Sequence, residues 1–242
     1  MRLFKSSIII LIILFTFSNC QVQNWKKIKG NGNIATITRT VSDFNNISLS
    51  GPMDFELVKG REGKITIVGE DNLLDYIITE SKDGNLIIEQ KDNYSLSPSN
   101  YKTIKITIPF ESINNVTLFG SGDVISQNII EADSFTTKIS GSGDISLNLV
   151  AKTTNATISG SGDITIKGKT DHLNVSISGS GDFNGKELEA NNTNAKITGS
   201  GEIEVVANES LMARITGSGD INYSGNPSQI DKKVTGSGDI SN

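Results

Sequence analysis

From residue 113 to the C-terminus, apolar and polar positions alternate in short runs. Phe135, Thr137 and Ile139 form one such run, Leu173, Val175 and Ile177 another, and Ala213 and Ile215 a third. Each run halts at a four-residue phrase, Gly-Ser-Gly-acid, and alternation resumes after it, as in Ile145, Leu147, Leu149 or Ile203, Val205. Alternation over four to six residues is the mark of a strand with one buried face. The pattern therefore predicts a strand, a corner, a second strand and a looser polar return such as Lys152–Asn155.

The phrase occurs seven times, beginning at Gly120, Gly141, Gly160, Gly179, Gly199, Gly217 and Gly236, with starts 21, 19, 19, 20, 18 and 19 residues apart. A regular spacing near twenty residues signals stacked repeats, none of which can bury its apolar face alone. An antiparallel meander would leave that face wet. Stacking in parallel, at about 4.8 Å per coil, places like on like and closes a dry interior. The expectation is an all-β fold: a parallel β-helix or β-solenoid with coils of about 19 residues in the C-terminal half, and a less regular β half before it.

Residues 41–112 carry the irregular part. Ser50-Gly51-Pro52-Met53-Asp54 reads as a worn corner between Ile47-Ser48-Leu49 and Phe55-Glu56-Leu57. Asp83-Gly84-Asn85 between two apolar runs predicts a hairpin. Asp71–Tyr76 fits one short helical turn, and Pro109, with no donor for a ladder, is expected to close a strand. No composition shift marks a linker near 110, so residues 41–242 read as one domain, irregular over 41–112 and regular over 113–242. Residues 21–40 read as a polar leader, with Trp25 as a first packing anchor. Gly30-Asn31-Gly32-Asn33-Ile34-Ala35 has the letters of a dinucleotide fingerprint, but Thr36-Ile37-Thr38 after it is strand-like, not helical, and the motif is rejected.

Composition narrows the function. The chain has 242 residues and a net charge of -5, so no global basic field draws it to nucleic acid. Its single cysteine, Cys20, excludes an internal disulfide. Arg2 and Lys5, the apolar run Ile8–Phe17 and then Ser18-Asn19-Cys20 have the form of an export signal, too short to span a bilayer comfortably. The segment resembles a bacterial lipoprotein signal, in which the cysteine receives lipid and becomes the mature N-terminus. A plain cleaved signal with a stray cysteine is the alternative. The lipoprotein reading makes residues 1–20 a signal and Cys20 the lipidation site. It predicts an exported protein anchored through lipid in the envelope, at the outer membrane, with the periplasmic or surface side open.

The candidate chemistry lies at the corners. Asp123, Asp144, Asp163, Asp182, Glu202, Asp220 and Asp239 would form a column of carboxylates. Such a column is a surface for a partner or a weak cation site, and Ca2+ is the ion its oxygens suit. The simpler reading has each acid tie down its own turn and face solvent. Glu202 favours that reading, since a tight ligand position tolerates an extra methylene poorly. His172, the only histidine, belongs to no metal cluster or triad and is expected in a surface loop. The corner serines do not sit in a nucleophile elbow.

Phe44-Asn45-Asn46-Ile47 before Ser50-Gly51, the stretch Val68-Gly69-Glu70-Asp71-Asn72-Leu73-Leu74, and the serial corners together resemble the head GIN domain family over roughly residues 40–240. Members of that family are named as autotransporter adhesins and are common in Bacteroidetes-type bacteria. The resemblance implies a right-handed β-helix-like solenoid and an adhesive role, and brings no catalytic residues. The expected function is a non-enzymatic envelope lipoprotein that binds or adheres through a repetitive polar surface, needing no cofactor. Its partners would be the membrane, through lipid, and an envelope component, glycan or protein, with a second copy at the terminal coil as a further option. A polysaccharide-acting enzyme and a calcium-stabilised scaffold are the alternatives.

Overall fold

The computed structural model describes residues 25–99 and 102–242; Cys20 and the rest of the segment read as an export signal lie outside the described residues. The first half contains β1 (Lys26–Lys29), β2 (Ile34–Thr40), β3 (Asn46–Ser50), β4 (Asp54–Lys59), β5 (Lys64–Glu70), the helical turn α1 (Asp71–Leu74), β6 (Ile77–Lys82), β7 (Asn85–Gln90), β8 (Tyr94–Ser97) and β9 (Lys105–Phe110). The second half contains β10 (Asn115–Gly120), β11 (Val124–Gly141), β12 (Ile145–Gly160), β13 (Ile164–Gly179), β14 (Phe183–Asn184), β15 (Leu188–Gly199), β16 (Glu202–Val206), β17 (Ser210–Gly217), β18 (Asp220–Ser224), β19 (Gln229–Gly236) and β20 (Ile240–Ser241).

From β10 onward every pairing is parallel, and the chain winds a β-solenoid of about 7 turns. The register is that of the sequence repeat. Gly120, Gly141, Gly160, Gly179, Gly199, Gly217 and Gly236 lie over one another in series. So do Leu118, Ile139, Ile158, Ile177, Ile197 and Ile215, all fully or almost fully buried. The interior is thus made of columns of like side chains, one rung per coil. A few rungs are polar. Thr154 donates to Thr170 at 3.0 Å and Thr193 to the Val206 carbonyl at 2.7 Å, whereas the buried Thr137 hydroxyl has no partner.

The first half builds the base of this stack, and its spatial order differs from its chain order. β3 lies between β7 and β10, pairing in parallel with both, and β4 lies in the same way between β9 and β11. The coil formed by residues 46–59 is therefore the second layer. Residues 85–110 supply the layer beneath it, and the chain returns above it at Asn115. Val124 sits over Phe55, so Gly51–Asp54 is a true corner of the array, although Pro52 and Met53 replace the usual letters. Antiparallel strands close the lower end: β2 on β5, and β6 on β7 through the tight Asp83-Gly84 turn, where φ is 51° and 75°.

Three details depart from the sequence reading. Residues 26–40, read as leader, contain strands β1 and β2. Trp25 is 51% exposed and anchors nothing. Pro109 closes β9 as its penultimate rather than its last residue, since β5 covers that strand only from Lys105 to Thr107 and leaves the proline without a neighbour to donate to on that side.

The base is held by one buried carboxylate. Glu70 accepts the Gly32 N–H at 2.5 Å, the Ser99 N–H at 2.8 Å and the Ser99 hydroxyl at 2.6 Å. These bonds, the Ser99 hydroxyl foremost, hold its carboxyl below the usual carboxylate range. Beside it Asn72 accepts from the Asn31 N–H and donates to the Lys29 carbonyl, Asp71 accepts from the Asn31 amide, and Leu73 and Leu74 enter the core. The stretch Glu70–Leu74 thus clamps the Gly30–Asn33 loop, which is the physical content of both motifs.

The upper end carries a different device. β19 is exposed along its whole length, with Ile230 and Val234 open to solvent. Lys232 occupies the inward column below which Ala213 and Ala195 are buried. Its ammonium lies 4.4 Å from the centre of the Tyr223 ring and donates to the Ile240 carbonyl at 3.3 Å. An inward charge on a terminal strand opposes further pairing.

Candidate functional site

The corner acids are brought into one column, as expected, and they are engaged in hydrogen bonds. The carboxylate of each accepts the backbone N–H of the acid one coil further on: Asp123 from Asp144 at 3.2 Å, Asp144 from Asp163 at 3.0 Å, Asp163 from Asp182 at 2.8 Å, Asp182 from Glu202 at 2.8 Å and Asp220 from Asp239 at 2.8 Å. The acids therefore tie successive coils together, where the sequence suggested that each tied down its own turn. Glu202 breaks the series. Its longer side chain reaches Asn222 at 2.6 Å instead, and the Asp220 N–H turns to the Gly201 carbonyl at 3.2 Å. Two carboxylates about 5 Å apart in water repel by about 0.8 kcal/mol, and a hydrogen bond from a backbone N–H to a charged group offsets that. Asp123 has its carboxyl pushed upward, by burial first. Among the described residues no cluster of three or more His, Cys, Asp or Glu side chains could hold a metal ion.

The glycines of the phrase are explained by the same stacking. A Cβ on Gly162 would lie well inside 3 Å of the Gly143 carbonyl, and one on Gly160 would meet the Gly141 carbonyl in the same way at a φ of 129°. The Ser161 and Gly162 N–H groups both donate to the Gly141 carbonyl, at 2.9 and 3.2 Å. Seven copies of the phrase thus answer to close packing of backbone on backbone. The corner serine side chains face outward and are left over.

The sheet face that precedes each corner is not explained this way. Its outward positions form columns that run the length of the molecule. One column reads Asn85, Asn46, Asn115, Thr136, Asn155, Asn174, Asn194, Met212 and Asp231 from base to tip. Asn174 donates to Asn155 across one rung at 3.1 Å. The neighbouring outward column reads Ser134, Thr153, His172, Asn192, Ser210 and Gln229. Ser210 donates to Asn192 at 2.6 Å, and His172 is exposed here, on β13 rather than in a loop. Side chains of both columns border a surface hollow of about 520 Å³ near the tip. A second, of about 550 Å³, lies at Asn46, Asn115 and Thr136 nearer the base.

On the other side of the asparagine column stand Lys138, Thr157, Ser176, Lys196, Arg214 and Lys233. Lys196, Arg214 and Lys233 occupy three consecutive rungs. Like charges opposite one another on adjacent strands are destabilising. Arg214 pairs with Asp231, whose carboxyl it holds below its ordinary range. None of the ion pairs among the described residues involves Lys138, Lys196 or Lys233. Elsewhere the outer surface does pair its charges across rungs, as in Lys167–Glu187 at 2.8 Å and Lys152–Asp133 at 2.7 Å. The face before the corners is thus rich in neutral amides and hydroxyls with a cationic strip, on a protein that is acidic as a whole. Sequence reasoning centred on the corners misses it, although its signal is plain: an asparagine five residues before the corner glycine at Asn46, Asn115, Asn155, Asn174 and Asn194.

The same architecture occurs in known structures. A chain described as a putative adhesin from Bacteroides fragilis has a TM-score of 0.84 and 27% identity, over 89% of this chain and 99% of that one. A chain described as a putative lipid binding protein from Parabacteroides distasonis has a TM-score of 0.73 and 30% identity, over 89% and 99%. A putative adhesin from Parabacteroides merdae, at 24% identity and a TM-score of 0.75 over 89% and 98%, shares the fold. No curated protein matches the sequence. The family model described as "Putative auto-transporter adhesin, head GIN domain" matches residues 43–227, about three quarters of the chain, and the chain belongs to that family.

Proposed function

We propose that this protein is a non-catalytic binding module, held in the bacterial envelope by lipid on Cys20, that engages its ligand through the sheet face preceding the corners. The observation that carries the reading is that face: columns of hydrogen-bonding side chains, interrupted in the first column by Met212, kept in register from Asn85 to Asp231 with no packing role that demands them. The adhesin descriptions of the family and of the Bacteroides fragilis relative agree with binding rather than catalysis. The lipid-binding description of the Parabacteroides distasonis relative suits this chain less well. Here the solenoid interior is filled by buried side chains from every coil, so an acyl chain would have to lie outside.

Three measurements test the proposal. Growth with labelled palmitate should tag the protein and leave a Cys20→Ala variant untagged; absence of label removes the anchor. Beads coated with the protein should retain material from envelope or matrix extracts; empty beads remove the binding role. Turnover of a polysaccharide that vanishes in Asp163→Asn would replace the proposal with an enzymatic one.

A further inference from the structure

We infer that the tip half of this face binds an acidic glycan, a linear polysaccharide bearing carboxylate or sulfate groups, laid along the solenoid axis. The inference rests on the proposed binding role and names its ligand class. Its first ground is the cationic strip. Lys196, Arg214 and Lys233 sit on three successive rungs, an arrangement that costs stability. The fold compensates the corresponding stack of corner acids with hydrogen bonds from backbone N–H groups, yet it gives Lys196 and Lys233 no carboxylate among the described residues. A row of anions on a ligand would supply the missing partner.

The second ground is what lies beside the strip. The adjacent column places Asn174 and Asn194 on neighbouring rungs, and the 520 Å³ hollow there is bordered by His172, Asn192 and Ser210 as well. Asparagine offers two donors and an acceptor, and serine offers both functions, the repertoire that hydroxyl-rich sugars require. The half-exposed Met212, on the next rung above Asn194, supplies an apolar contact for a sugar ring. The rungs repeat every 4.8 Å or so, a spacing comparable to the rise per unit of an extended pyranose chain, so successive sugars would meet successive coils.

The third ground is selectivity. The strip is one column wide, and the corner ridge beyond it carries the carboxylates Glu202, Asp220 and Asp239 on the same rungs. A duplex nucleic acid, whose phosphates flank both sides of a broad cylinder, would meet that acidic ridge, whereas a single narrow chain would not.

The test is affinity electrophoresis of the detergent-solubilised full-length protein in gels containing polygalacturonate, hyaluronan or, as a neutral control, dextran. Retardation by at least one acidic polymer, weakened by added salt and absent with dextran, is expected. Lys196→Gln with Lys233→Gln should weaken it at least tenfold while melting no lower than the parent by circular dichroism, and Asn194→Ala should weaken it at least threefold with the fold retained. Retardation in neither acidic polymer, or retardation indifferent to these substitutions, overturns the inference. Displacement by duplex DNA at equal charge concentration also overturns it, since the surface would then be a general polyanion binder. If Ser161→Ala and Ser180→Ala abolish binding while the lysine variants do not, the ligand sits on the corner ridge. The binding role then stands and the groove does not.

Discussion

The carboxylate of Asp163 accepts the backbone N–H of Asp182 from the coil above it, at 2.8 Å. This one bond restates the repeat: an acid placed every coil so that its side chain meets the backbone of its own successor. Removing it by Asp163→Ala should cost about 1 kcal/mol, at the low end for a bond to a charged group because the site faces water. Asp163→Asn keeps an acceptor oxygen and should stay within about 0.5 kcal/mol of the parent. Urea unfolding measures both. With the carboxylates engaged in this way, a chelator should leave the melting temperature unchanged.

Close stacking makes a sharper prediction at the glycines. Gly162→Ala forces a methyl group onto the Gly143 carbonyl and should cost about 3 kcal/mol or more. Gly84→Ala, in a turn where a Cβ meets nothing within 4 Å, carries only the penalty of its positive φ, about 1 kcal/mol. Thermal melts of the two variants should therefore differ clearly, although each changes one glycine to alanine.

Thr137 offers a gain. Its hydroxyl is buried without a partner in a column whose neighbours are Val116 and Ala156. Thr137→Val removes the unpaired group and keeps the shape, and should stabilise the fold by about 1 kcal/mol in the same urea assay.

The base should be sensitive to acid. Glu70 titrates lower in the folded chain than its ordinary value of 4.5. Its contribution to stability is therefore complete above that ordinary value, and it is lost as pH falls through the folded one. Hydrogen exchange at Gly32 and Ser99 should quicken over that interval. Glu70→Gln should abolish the pH dependence while raising exchange at neutral pH; a profile unchanged by the substitution would show that another group is responsible.

Lys232 guards the opposite end. The parent should remain monomeric, since pairing through β19 would bury an ammonium beside Tyr223. Lys232→Ile completes an apolar row with Ile230 and Val234 and should produce concentration-dependent association, read by light scattering.

Much of the second half could be read directly from the sequence, because each coil repeats both its own local pattern and its neighbour's. Ile158 sits over Ile139 for the same reason that it lies two residues before a corner glycine. The first half was legible only locally. The Asp83-Gly84 hairpin and the α1 turn follow from nearby residues. No local rule, however, announces that β3 will lie between β7 and β10, because partners 39 and 69 residues further along the chain leave no periodic trace. The candidate surface was hidden for another reason. The corner acids dominate the pattern with a regularity that packing demands, and they overshadow the asparagines, which no interior contact requires.

The interleaving of residues 46–59 between later strands has a consequence for biogenesis. A ribosome releases the chain from its N-terminus, so the second layer emerges before the first, and it cannot be flanked on both sides until Gly120 is out. Each later winding then finds a finished template and adds in order of synthesis. Excising one whole period from the array, such as residues 160–178, should shorten the rod without unravelling it, whereas any cut within 46–110 removes the template on which all the others are laid.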